Sequence, residues 1–507
     1  MSDLASGLAL LADPAVLAAL LIGSIGGVVI GAIPGVGAAV AIAILLPATF
    51  SLEPLVGLTM LLGIYGSSMY GGSLPAILIN TPGTAVNALT TYDGHPMTKR
   101  GEALRALGLA YGASFVGGIL SILALILFAP VLAKIAPMFG SREIFLAALL
   151  GIVLVVIAHR GQTLVAGSLV AFGILINTVG LEPVRYTQRF TFGQEWLSSG
   201  IDLIVVVLGL FALSQAFVLL TDSERAPVTQ RVEGNMFTAM KGVFRFKRIA
   251  GAGAGFGVLM GMIPGVGEFT AQFLTYTYAQ KTSKTPEDFG KGSPEGLVAS
   301  ESANNAVPAA AMIPLLALGI PGEALTAMML AVFYVHNVVP GPGLFQNDLD
   351  FVYALYAAMI LLNVFVVAFV LVASNWLLRI IRVPTRFLGM MILTLSFVGV
   401  YSLRNSVIDC AIAAAFGILG LVLKRMNLPV VPIVLGMVLG GIMEVKLRSA
   451  MARVKDPIDF VDRPIAATLA VLIVLLIVGH FVGLIREKRA AIPENEHDHD
   501  IHDSHTR

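Results

Sequence analysis

Two stretches of this chain, Leu107 to Ala133 and Phe351 to Leu378, contain no Asp, Glu, Lys or Arg at all. Each is long enough to cross about 30 Å of hydrocarbon as a tilted helix. Runs of that length without polar/apolar alternation exclude a membrane β-barrel. Helices remain as the way to satisfy backbone polar groups in lipid. Further apolar segments, from Val16–Ile33 through Leu55–Tyr70 to Ile465–Val482, are shorter or cut by Gly and Pro. Composition agrees: 57% of the residues are hydrophobic, 12% are charged and the mean hydropathy is +0.88, so a water-soluble fold could not cover its surface. The expected class is an all-α polytopic membrane protein. A net charge of +1 gives no reason to invoke nucleic acid.

The chain also repeats itself. Gly31-Ala32-Ile33-Pro34-Gly35-Val36-Gly37 recurs as Gly261-Met262-Ile263-Pro264-Gly265-Val266-Gly267, an offset of 230 residues. Pro75 with Pro82-Gly83 recurs as Pro314 with Pro321-Gly322, an offset of 239, and one of the two long uncharged spans follows each copy. Two ordered blocks and a matching sequel imply two homologous halves, and an inverted relation is the expectation. The division is residues 1–220 for the first half, 221–247 for a linker, 248–486 for the second half and 487–507 for a tail. The linker carries Arg225, Arg231, Lys241, Arg245 and Lys247, which the positive-inside rule places in the cytoplasm. The tail interleaves His497, His499, His502 and His505 with acids and reads as disordered. The N-terminus lacks a basic leader, so the first helix is expected to remain in place. The single cysteine, Cys410, excludes an intrachain disulfide and reads as a packing residue.

Paired apolar segments broken by Gly and Pro are the best sequence pointer to a transport site, because the broken helices free backbone amides and carbonyls near the bilayer midplane. In the first half the expected arrangement is a short helix, a break at Asn80, Thr81, Pro82, Gly83 and Thr84, and a returning helix, as a re-entrant hairpin. Amides and the Thr hydroxyls at the break suit a carboxylate. Its counterpart is Gly319, Ile320, Pro321 and Gly322, followed by Glu323, and the two tips are expected to converge on one substrate site. Glu301, Asn304 and Asn305, and Glu268 after the second Gly-rich motif, offer hard oxygen ligands for a coupling cation. Gly35, Gly37, Gly265 and Gly267 read as structural glycines that permit tight turns and close helix contact. Tyr92 to Arg100 reads as an exposed topogenic turn. No metal centre is expected. No His-Glu-x-x-His motif or Gly-x-Ser-x-Gly elbow supports catalysis, so no catalytic residue is assigned. An ion or solute channel remains the alternative to a carrier.

At these blocks the sequence resembles the large membrane subunit of the bacterial tripartite tricarboxylate transporters. The resemblance runs from Leu17 to Val482 and rests on Gly31 to Gly37, Asn80-Thr81-Pro82-Gly83-Thr84, Ser293-Pro294-Glu295-Gly296, Ala303-Asn304-Asn305 and Leu318-Gly319-Ile320-Pro321-Gly322. It implies a secondary carrier of the bacterial inner membrane that imports a small carboxylate by symport with Na+ or H+. It also implies two partners, a small integral membrane subunit and a periplasmic solute-binding protein. No cofactor is implied beyond the coupling cation. The chain departs from the family's pattern at Ser300, where Pro is usual, and at Glu323, where Ser or Asp is common. An extra carboxylate at the second break would repel a polyanion unless a cation intervenes.

Overall fold

The computed structural model of the chain describes residues 2–34, 36–159, 161–182, 186–221, 234–380, 384–452 and 456–490. The His-rich tail, most of the charged linker and Gly35 lie outside them. The first half contains α1 (Ser2–Leu11), α2 (Pro14–Gly31), α3 (Gly37–Thr49), α4 (Pro54–Ile79), α5 (Ala88–Lys99), α6 (Ala103–Ile135), α7 (Ser141–Ala158) and α8 (Thr163–Asn177). A two-stranded hairpin pairing Gly180 with Arg189 follows, then α9 (Leu203–Val207), which runs through a π-helical turn into α10 (Ser214–Thr221). The linker region adds α11 (Met236–Lys241). The second half contains α12 (Lys247–Gly261), α13 (Gly267–Thr282), α14 (Pro294–Leu318), α15 (Ala324–Val335), α16 (Pro342–Asn347), α17 (Leu349–Ile380), α18 (Thr385–Arg404), α19 (Val407–Arg425), α20 (Val431–Met451) and α21 (Pro464–Ala490).

Among the described residues, eight helical spans are long and apolar enough to cross a membrane, the longest being Ala103–Met138 and Leu349–Ser374. This is an all-α polytopic membrane protein. Leu55 to Tyr70 differs from its sequence reading: it belongs to α4, which runs 26 residues and is buried almost throughout. Helices α4 and α14 carry Ser, Thr, Asn and Glu because protein, not lipid, surrounds them. Order and lengths match between the halves, with α2 to α6 answering to α12 to α15 and α17. In both halves the helix before the Gly-rich motif lies directly on the long interior helix. A Cβ on Gly31 would strike the Ser68 carbonyl, and one on Gly261 would stand 3.0 Å from the Val307 carbonyl. The halves also interlock: α6 packs along α14, while α17 packs along α4 and α2.

Cross-contacts assign the two ends of the spans. The Arg425 guanidinium donates to Thr221 Oγ1 at 2.7 Å, and Ala239 and Met240 of α11 lie against Gly108 and Gly112 of α6. These contacts gather the C-terminus of α19 and the N-terminal part of α6 at the linker end. At the opposite end the arginines are paired, Arg189 with Glu444 at 2.5 Å, Arg404 with Asp409 at 2.8 Å, Arg448 with Glu182 at 3.0 Å and Arg142 with Asp462 at 2.6 Å.

Pro75 sits inside α4, and the helix ends at Asn80, where the break was expected. Two local readings are corrected. Tyr92 to Arg100 is no exposed turn, because α5 covers it to Lys99 and Asp93 is fully buried. The helix after the first break does not run antiparallel to α4: Gly83 N–H donates to the Gly72 carbonyl and Asn87 reaches Met69 and Ser73, but His95 then meets the Ile77 carbonyl. The chain doubles back beside α4 in an extended stretch, then α5 runs parallel to α4. Gly322 likewise lies back beside Ala311 of α14.

Candidate functional site

Each interior helix stops the same way. Asn80 (φ 55°) and Gly319 (φ 69°) are both left-handed caps. The next amide, of Thr81 or Ile320, returns to the Pro75 or Pro314 carbonyl at 3.4 and 3.3 Å. This six-residue closure lets a helix end inside the protein without orphaned carbonyls, and it wants Gly or Asn at the cap. The extended stretch then passes over the Gly-rich motif. In the first half Gly83 seats on the Gly31 carbonyl, and in the second Gly265 N–H donates to the Gly322 carbonyl at 2.6 Å. Gly37, Gly265 and Gly267 all adopt positive φ, at 72°, 81° and 63°.

The two breaks differ in access and in chemistry. Asn80 is exposed and Thr81 and Pro82 are half-buried, whereas Gly319, Ile320, Pro321 and Gly322 are buried. From the first break a chain of hydrogen bonds enters the core. Thr84 Oγ1 donates to Asn87 Oδ1 (2.5 Å), Asn87 Nδ2 to Ser73 Oγ (3.2 Å) and Ser73 Oγ to Glu301 Oε1 (2.9 Å). Glu301 has no exposed surface. Thr90 donates to its Oε1 as well, and Ser114 to its Oε2 at 3.0 Å. Its carboxyl from α14 is thus gripped by hydroxyls of α4, α5 and α6. No Lys or Arg pairs with it among the described residues. Burying a carboxylate without a cation costs roughly several kcal/mol, which the three hydroxyl donors offset only in part.

The two amides extend this cluster. Asn305 Nδ2 donates to Ser114 Oγ at 2.7 Å, while Gln272 of α13 donates from Nε2 to the Val86 carbonyl at 2.6 Å and to Asn304 Oδ1 at 3.2 Å. Asn304 Nδ2, Gln272 Oε1 and Glu268 Oε1 are buried with no partner among the described residues. Glu268 precedes Gln272 by one turn on the same face of α13. The structure therefore gathers the first break, Glu301, Asn304 and Asn305, with Glu268 adjoining. It leaves the second break outside: about 10 Å of helix separates Ser73 from Asn80, but about 27 Å separates Glu301 from Gly319. Glu323 caps α15, where its N–H meets Thr326 Oγ1 at 2.9 Å and its own Oε1 is buried without a partner.

Sequence reading missed Ser73, Asn87, Thr90, Ser114 and Gln272, because nothing local tells a hydroxyl bonded to its own helix from one reaching another. It also missed Asp93. That carboxylate accepts from the amides of Gly290, Gly292 and Ser293 at 2.9, 2.9 and 2.7 Å, and from Tyr276 Oη at 2.8 Å. It locks α5 to the loop before α14. Among the described residues no three His, Cys, Asp or Glu stand together as a metal cluster. One carboxyl amid neutral oxygens suits a monovalent cation or a proton rather than a divalent metal.

Comparison with known proteins gives the same direction. The tripartite tricarboxylate transporter TctA family matches residues 17–435. An uncharacterized 52.8 kDa protein in the TAR-I ttuC' 3' region of Agrobacterium vitis is 34% identical over 493 residues, covering 96% of this chain and 98% of its own length. An uncharacterized protein in the TAR-II ttuC' 3' region of the same organism is 35% identical over 234 residues, covering 46% of this chain and 97% of its own. No solved structure matches significantly. The family match spans most of the chain, both helix-break blocks and the Glu301 cluster, so this multi-pass membrane protein belongs to the tripartite tricarboxylate transporter TctA family.

Proposed function

We propose that this chain is the carrier subunit that imports a small carboxylate across the bacterial inner membrane by cation-coupled alternating access. A small membrane subunit assists it, and a periplasmic solute-binding protein delivers the substrate. The single observation that carries the reading is the hydrogen-bonded continuity from Thr84 at a half-open helix break to the fully buried carboxyl of Glu301.

The parts divide the work. Amides and hydroxyls of Asn80 to Thr84 receive the substrate carboxylate, supported by the unpartnered amide of Asn304. Glu301 takes the Na+ or H+. Its charge state reaches the break through Ser73 and Asn87: a neutralised Glu301 lets the loop accept an anion, and an ionised one disfavours it by like-charge repulsion across a medium of low dielectric. The bonding of Gly322 to the Gly-rich motif gives the second half a matching closed break, as inverted repeats working in alternation would use. Movement of α4 and α14 with their breaks, against the surrounding spans, then exposes the site to each side in turn.

The test is uptake of labelled carboxylates into proteoliposomes holding this chain with its two partners, with and without an imposed Na+ or H+ gradient. Concentrative uptake that Thr81→Val and Asn304→Ala reduce, and that Glu301→Gln uncouples from the gradient, supports the reading. Flux that only equilibrates, in every variant and at every gradient, points to a channel and removes the carrier.

A further inference from the structure

Between α15 and α20, bounded by the start of α9, lies a cavity of about 520 Å³, within the usual size range of ligand sites. Its inner walls are apolar, with Ala327, Leu330 and Met437 all buried. Its outer lining is polar: Asn177, Asp202, Tyr334 and Lys446. The outer part lies at the paired-arginine end, since Lys446 stands on α20 between Glu444 and Arg448, which bond to Arg189 and Glu182. Phe190, Phe192 and Trp196 are exposed on the adjoining loop, and Trp is enriched at membrane–water interfaces, which fits headgroup depth there.

The charges there are unspent. Among the described residues Lys446 makes no ion pair, although its neighbours do. Asp202 accepts the Ile204 amide at 2.7 Å through Oδ1 and meets no cation. An apolar slot in a membrane protein, opening at headgroup depth between one free cation and one free anion, fits a molecule with an apolar tail and a headgroup of both signs.

We propose that this slot is a binding site for one phospholipid with a zwitterionic phosphate–ammonium headgroup. One acyl chain lies between α15 and α20, the phosphate meets Lys446 Nζ and the ammonium meets the Asp202 carboxylate. A purely anionic headgroup satisfies Lys446 but sets like charge against Asp202. A partner's helix, about 10 Å across, is too wide for a slot between two helices already in contact. The bound lipid would wedge the helix that follows the second break against α20.

The test is native mass spectrometry of the purified full-length chain titrated with phosphatidylethanolamine or phosphatidylglycerol, alongside thermal unfolding. The wild type should retain one phosphatidylethanolamine in preference to phosphatidylglycerol and unfold at higher temperature with it. Lys446→Ala, which removes one charge-assisted contact, should weaken binding about tenfold. Asp202→Asn keeps a good helix cap and should abolish the preference between the two lipids. Ala331→Trp fills the slot with both charges intact and should prevent retention. Equal retention of both lipids by the wild type, or a phosphatidylethanolamine still held by Ala331→Trp, overturns the proposal.

Discussion

The two halves share a scaffold and differ in what they place at equivalent positions. Under the 239-residue offset, Ser73 and Thr90 of the first half correspond to Met312 and Met329, and Glu301 of the second corresponds to Leu62. All three of these apolar side chains are buried, so the matching place in the other half has no carboxyl and lacks two of its hydroxyl donors, although Asn87 and Asn304 correspond to Thr326 and Tyr65. Asp93, which clamps four donors, corresponds to buried Val332. The two breaks have the same backbone form, and only the first is joined to a core carboxyl and its hydroxyl donors. The second break keeps the backbone device and carries its extra carboxylate, Glu323, at the break itself.

The largest effect should come from erasing that difference. Glu301→Leu turns the polar cluster into its apolar counterpart. Losing a buried ionic partner worth about 3 kcal/mol should lower gradient-driven uptake about a hundredfold. Ser73 keeps a partner in its own Met69 carbonyl at 3.2 Å, but Thr90 and Ser114 lose their acceptor, so about 1–3 kcal/mol of stability should go as well, and uptake is read per folded protein. Initial rates in proteoliposomes and a melting curve check both halves of the statement. Uptake that remains within twofold would remove Glu301 from the mechanism.

Next in size is Asp93→Ala. It strands three amides and the Tyr276 hydroxyl, and a buried donor left unpaired costs about 1–3 kcal/mol. We expect about 3 kcal/mol of lost stability and faster amide exchange at residues 290–293, read by hydrogen-exchange mass spectrometry. Val332→Ala, at the matched place, should cost less, because only methyl contacts are lost.

These two residues also show what a sequence can disclose. Spans and helix breaks were legible because each is local: an uncharged run, a proline, a glycine that must adopt positive φ. Glu301 was legible because a carboxylate in an apolar run is costly wherever it points. Asp93 was not, since its helix reads as Tyr-Asp-Gly-His-Pro, a turn-like string, and the donors that make it helical and buried lie about 200 residues downstream. The parallel course of α5 escaped for the same reason: it is set by Gly83 and Asn87 bonding back to α4, which composition does not encode. Nor could the motif reveal that the first break is half-open and the second closed.

A smaller and more pointed contrast concerns the glycines on which the breaks sit. A Cβ on Gly83 would strike the Gly31 carbonyl and stand 2.6 Å from Gly72 Cα, all backbone that cannot yield. At Gly322 the nearest atoms, the Gly261 carbonyl and Ala311 Cβ, are 3.1 and 3.2 Å away. Gly83→Ala should therefore cost about 2 kcal/mol of stability by overpacking, and Gly322→Ala less than about 1 kcal/mol. Equal losses in thermal unfolding would show that the second break is as tightly seated as the first.

The smallest effect tests whether the second break touches substrate. Glu323 corresponds to Thr84, and Glu323→Thr gives both breaks the same residue. Glu323 Oε1 meets no donor and no cation among the described residues, the Glu323 backbone contacts with Thr326 do not need the side chain, and a threonine hydroxyl can replace it in the capping box with the Thr326 N–H. Removing a buried, unpartnered oxygen should raise stability by about 1 kcal/mol. Uptake should stay within twofold, because the polar chain that reaches Glu301 starts at Thr84 and never passes through the second break. A tenfold fall in uptake with the fold intact would instead make Glu323 a ligand of substrate or cation. The asymmetry between the halves would then be a division of labour within one shared site.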